Sequence, residues 1–168
     1  MPIAGELASW LRGAKRLVIL GIGSPIRRDD SIGVAIVNQL KGRVPRTVRL
    51  INCETVPESF TRDVQQFHPT HVIMIDAALL QLPPGRARLV PPDKIKGLAI
   101  STHTLPLNIF AEYVKQTTNA KVILLAIQPK DTSFGTGLTP ELEKTSRTLA
   151  ELLQKIVAKV GEKVWGKV

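Results

Sequence analysis

RLVILGIGSPIRRDDSIGVAIVNQL, residues 16–40, decides the architecture. Its first part, RLVILGIG (16–23), is a short apolar, β-branched run that ends in glycines, the pattern of a buried strand. From Ser31 to about Lys41 the period changes. Ile32, Ala35, Ile36 and Leu40 fall on one helical face. A strand passing through a glycine turn into a helix is the opening unit of an α/β fold, where ligand sites form beside the strand ends.

Working outward, VRLINCE (48–54) reads as a second strand, and HVIMIDAAL (71–79) as a third. KVILLAIQP (121–129) is another continuous apolar run. Such runs suit a parallel sheet covered on both faces. Between these strands lie a helix carrying Phe60, Val64 and Phe67, and a second from Leu105 to about Thr118. RARLV (86–90) alternates, which suits an antiparallel or edge strand, and KIKGLAIS (94–101) fits either a short helix or a loop. Thr139 is placed to cap a last helix, with Pro140 at its first position. Ile3, Leu7, Trp10 and Leu11 mark an amphipathic helix ahead of the first strand. The order predicts one three-layer α/β/α domain over residues 1–168, with a mostly parallel, twisted sheet of about five strands. Residues 1–14 form an appended helix and 161–168 a frayed tail.

The 168 residues are enough for one domain with a real core. Hydrophobic residues make up 43%, and aromatics only 4%, so the core must be aliphatic. The net charge is +9, but the basic residues are dispersed, without the aromatic-interleaved blocks that stack bases. The expectation is no nucleic-acid partner. A noncatalytic module binding nucleic acid or nucleotide through its basic surface is the alternative reading. The single cysteine, Cys53, excludes an intramolecular disulfide and any CxxC metal site, which fits a cytoplasmic protein. No signal peptide or membrane-length apolar run is present, so no membrane insertion is expected.

Three side chains close or follow apolar runs: Asp30, Asp76 and His103. Residues at strand ends gather on one edge of an open α/β sheet, where two carboxylates and an imidazole could hold a metal and leave a position for substrate. For Asp29 and Asp30, capping of the following helix is the favoured structural role. Asp76 ends VIMI, where an unpaired charge would be costly, so a functional role is favoured. His103 alone would be an ordinary loop residue, and gains weight from the two acids. His68 and His71 read as surface residues, and Cys53 as a small, partly buried one. Glu54 and Glu58 fit either a helix cap or a rim of the site. GIGSPIRRDD is not a dinucleotide fingerprint, because Ile26 stands where its third glycine would be.

GIGSPIRRDDSIG is similar to the G-x-G-N-x-x-x-x-D-D-G-x-G signature of the hydrogenase maturation endopeptidases. INCETVPES occupies the position of that family's Gly/Thr-x-Pro-Glu loop. MIDAALLQLPPGRARLVPPDKI resembles its Asp-Ala strand end, Pro-Gly turn and strand. STHTLPLNIF and AIQP look most like the branch that processes the hydrogenase 3, formate-hydrogenlyase type. The resemblance runs from about Arg16 to Lys155. Ser24, Ser31 and Cys53-Glu54 depart from the usual Asn, Gly and small residues, which bears on loop shape and substrate choice.

The resemblance implies a nickel-dependent endopeptidase that removes the C-terminal extension of a nickel–iron hydrogenase large-subunit precursor after nickel insertion. It implies metal contacts and catalytic roles for Asp30, Asp76 and His103, with Asp29 and Glu54 in support. The Ni2+ would arrive in the precursor, and the isolated protease's own site would be weak or empty. The expected partner is that precursor, and the expected state a cytoplasmic monomer. Arg27 and Arg28, next to the proposed site, read either as solvated loop charge or as groups that help hold acidic parts of the precursor.

Overall fold

β1 (Leu17–Ile22) is buried along its whole length and is an interior strand of a six-stranded sheet. The protein is described by a computed structural model covering residues 2–100 and 105–162. β2 (Val48–Glu54) and β3 (His71–Leu79) flank β1 in parallel, and β6 (Lys121–Ile127) lies parallel to β3. β4 (Ala87–Val90) closes the far edge antiparallel to β6, as the alternation of RARLV predicts. The order is β2-β1-β3-β6-β4. A sixth strand, β5 (Ala99–Ile100), pairs antiparallel with the end of β3 at Ala78 and Leu79.

The helices are α1 (Pro2–Trp10), α2 (Ile32–Leu40), α3 (Thr61–Gln66), α4 (Pro92–Ile95), α5 (Leu107–Thr118) and α6 (Pro140–Val157). Strand periodicity of two sorts the core into two layers. Leu17, Ile19, Ile73, Ile75 and Leu125 face α1, α2 and α6, against Leu7, Ile36, Leu149 and Leu153. Val18, Leu20, Met74 and Leu124 face α3 and α5, against Val64, Phe110 and Val114. Each fully buried aliphatic side chain of this kind contributes roughly 1.5–3 kcal/mol relative to exposure. KIKGLAIS divides between the end of α4 and β5, so it is neither a single helix nor a plain loop.

Gly161 donates its N–H to the Ala14 carbonyl at 3.0 Å, and Thr47 donates its hydroxyl to the Val160 carbonyl at 2.7 Å. The end of α6 is thereby tied back to the turn after α1. His71 is a correction to the sequence reading. It is buried rather than at the surface, edge-on to Trp10 with centroids 5.0 Å apart, and its Nδ1 lies 2.9 Å from the Thr70 hydroxyl. A polar residue beginning a strand gives no sign in sequence that a helix from the N-terminus will cover it. No helix of the described residues is long and apolar enough to cross a membrane.

Candidate active site at the carboxyl edge of the sheet

Four parallel strands put their carboxyl ends on one edge, and the acids are found there. The loop after β1 turns back through a short 3-10 turn, Arg28–Ser31, that delivers Asp29 and Asp30. Both are buried. Asp30 accepts the Ser24 N–H through Oδ2 at 2.8 Å, and its own N–H donates to the Arg27 carbonyl at 3.0 Å. Asp76 lies within β3, paired in register with Ala126, and is fully buried. Its Oδ1 accepts the Ala77 N–H at 2.8 Å. These amides orient each carboxylate without adding a counter-charge. A cavity of about 150 Å³ opens here, lined by Asp30, Ala77, Leu79, Ile100, Pro129 and Thr132.

Two glycines let the acidic loop reach the strand ends. Gly23 has φ +145°, and a Cβ on it would collide with the Asp30 carbonyl oxygen. A Cβ on Gly33, in the first turn of α2, would collide with the Ile75 carbonyl oxygen and meet that of Ile22 at 2.7 Å. The helix therefore sits against β1 and β3 immediately beside Asp76. Ser31, the departure from the family's glycine, has φ −82° and ψ 6°, a conformation any residue adopts. Its hydroxyl donates to the Arg28 carbonyl at 2.7 Å, so the serine adds a bond without bending the loop away.

The capping expectation for the aspartates is overturned. Ser31 occupies the N-cap of α2, with no side-chain cap. Asp29 turns instead to the β6–α6 loop. It accepts the N–H groups of Lys130 and Asp131, both at 2.9 Å, and that of Thr139 at 2.8 Å. The Thr139 hydroxyl completes the set at 2.9–3.0 Å. Thr139 stands at the N-cap of α6 as expected, with Pro140 following, but its hydroxyl serves Asp29 rather than the helix. Sequence reasoning missed this junction because its two halves lie more than a hundred residues apart.

Glu54 ends β2 in the left-handed region at φ 47°, beside a register shift in the β1–β2 pairing. Its carbonyl accepts the Gly23 N–H at 2.8 Å, and its side chain is exposed. Neither Glu54 nor Glu58 caps the following helical turn. Cys53 is fully buried. Burial, then the nearby Glu58 and Asp63 carboxylates, push its thiol up to about 12. It is no nucleophile at neutral pH. His103 lies outside the described residues. Among the described residues alone, no three His, Cys, Asp or Glu side chains are grouped to hold a metal. Asp30 and Asp76 supply carboxylate oxygens, donors suited to a divalent ion or to general-base chemistry.

Residues 34–156 match the hydrogenase maturation protease family model. The chain is 35% identical over 162 residues to a Methanocaldococcus jannaschii chain named for that class, covering 89% of this chain and 95% of the other. It is 26% identical to the hydrogenase 3 maturation protease of Escherichia coli K12, over 82% of this chain and 88% of that one. The crystal structure of a NiFe hydrogenase maturation protease, HycI, from Thermococcus kodakarensis KOD1 superposes with a TM-score of 0.85 at 34% identity. That match covers 90% of this chain and 98% of the other. The chain belongs to the hydrogenase maturation protease family, and is a hydrolase that cuts a peptide bond.

Proposed function

We propose that this protein removes the C-terminal extension of a nickel–iron hydrogenase large-subunit precursor once nickel has been inserted, the last step of that subunit's maturation. The observation that carries the reading is the pair of buried, amide-oriented carboxylates, Asp30 and Asp76, at the strand ends of a hydrogenase maturation protease fold. In this reading Asp30, Asp76 and His103 complete the coordination of a nickel ion that the precursor already holds. Glu54 and Asp29 support the loop that carries Asp30. The isolated protease holds metal weakly or not at all, because nickel is part of the substrate.

The substrate's metal polarises the scissile carbonyl or lowers the pKa of the attacking water. The water oxygen adds to the carbonyl carbon, and Asp30 or Asp76 takes its proton. The C–N bond then breaks, and the proton passes to the leaving amine. The whole chain works as one unit, a monomer in the cytoplasm, with no nucleic-acid partner. The test is the mass of the precursor's C-terminus after incubation with single variants. Asp30→Ala, Asp76→Ala and His103→Ala should each slow trimming by about 100-fold or more. Undiminished trimming by any two of them would remove the reading.

A further inference from the structure

Phe134 is the most exposed large hydrophobic side chain of the described residues, at 69%. It belongs to the β6–α6 loop, and folding alone gives it no reason to be apolar. The Arg27 guanidinium lies over its ring, 4.7 Å from the centroid. Ile26, 54% exposed, stands beside Arg27 in the chain. The two loops are stitched by main-chain bonds, Arg28 N–H to the Gly135 carbonyl at 3.1 Å and Gly135 N–H to the Ile26 carbonyl at 3.0 Å. Asp29 clamps the same loop through Lys130, Asp131 and Thr139. The Arg27 carbonyl in turn receives the Asp30 N–H. The Arg27–Phe134 stack is therefore held at a fixed position relative to Asp30.

The charges on the two arginines are used differently. Arg28 pairs with Asp131 at 3.8 Å. Arg27 pairs with no carboxylate of the described residues and spends its planar face on Phe134. A guanidinium on an aromatic ring keeps its edge N–H groups for an acidic partner, while the uncovered ring offers apolar area. Aromatic and arginine side chains that a partner covers are among the residues that most often carry binding energy.

We propose that Arg27 and Phe134 form the docking platform for the precursor segment beside the scissile bond. That segment passes over the platform extended, with an apolar side chain on Phe134 and an acidic one against Arg27. The inference rests on the function proposed above, since a bond cut beside Asp30 brings its flanking residues across these loops. The pair positions substrate and takes no part in the chemistry.

Steady-state cleavage of nickel-loaded precursor tests it. Phe134→Ala should raise KM by about tenfold or more while kcat stays within about threefold. Phe134→Tyr should restore KM. Arg27→Glu should raise KM further than Arg27→Ala, which separates charge from stacking. Because Phe134 is exposed, its variant should melt with the unmodified protein, and that melt is the folding control. If the unmodified protein does not cleave, the functional reading has failed. If it cleaves and both Phe134→Ala and Arg27→Glu leave KM unchanged, or lower only kcat, the platform is overturned and the function stands. Conversion of a dimer to a monomer by Phe134→Ala with KM unchanged would assign the surface to a second copy and also overturn the inference.

Discussion

Asp29 and Asp30 are neighbours in sequence with different work. Asp29 is a junction: one carboxylate holds three main-chain N–H groups and a hydroxyl from a loop distant in the chain. Removing it strands those donors in a partly buried place, at about 1–3 kcal/mol at most for each unsatisfied group. Asp29→Ala should therefore destabilise the fold by about 3 kcal/mol in urea unfolding. A loss under about 0.5 kcal/mol would show that water takes over from the carboxylate at this junction. The distinction was hidden in the sequence, because an Asp-Asp pair before a helix reads as a cap whatever its distant partners. Asp76 was legible, because a carboxylate closing VIMI must be held by something.

At the scale of elements, the contact between α2 and the ends of β1 and β3 sets the site. Gly33 makes the approach possible. Gly33→Ala should push the start of α2 off the Ile75 carbonyl, cost about 1–3 kcal/mol, and displace Asp30 enough to slow cleavage by about 100-fold. A fully active Gly33→Ala would show that the loop has slack. The covering of β3 by α1 makes a second prediction, through His71 and Trp10. Burial, then the charge of Lys121, lower the pKa of His71 from 6.5. Below 6.5 the unfolded chain binds a proton that the folded one refuses, so this stabilisation is full above 6.5 and is lost as pH falls toward the folded value. Unfolding at about pH 7.5 and about pH 5.5 should show a smaller drop for His71→Gln than for the unmodified protein. An equal drop would place the acid sensitivity elsewhere. Among the elements, β1, β3 and β6 were readable as long apolar runs, and β4 as an alternation. β5 was not, since two residues carry no period and their pairing is decided by the end of β3.

Across the whole molecule, two aliphatic layers hold four parallel strands so that their ends share one edge. That convergence makes a candidate site from acids that the sequence keeps far apart. The resemblance in residues 16–155 supplied the family, and the family model over residues 34–156 agrees with it. The sequence could not supply the Arg27–Phe134 stack, because a phenylalanine in a polar loop shows neither its exposure nor its partner. Nor could it supply the close seat of α2, which depends on atoms meeting in three dimensions. Nickel in the precursor is the proposed signal for cleavage. The most direct measurement is the C-terminal mass of a hydrogenase large-subunit precursor incubated with this protein, once loaded with nickel and once without it. A shortened chain is expected only in the nickel-loaded sample. Trimming of both samples alike, or of neither, would contradict it.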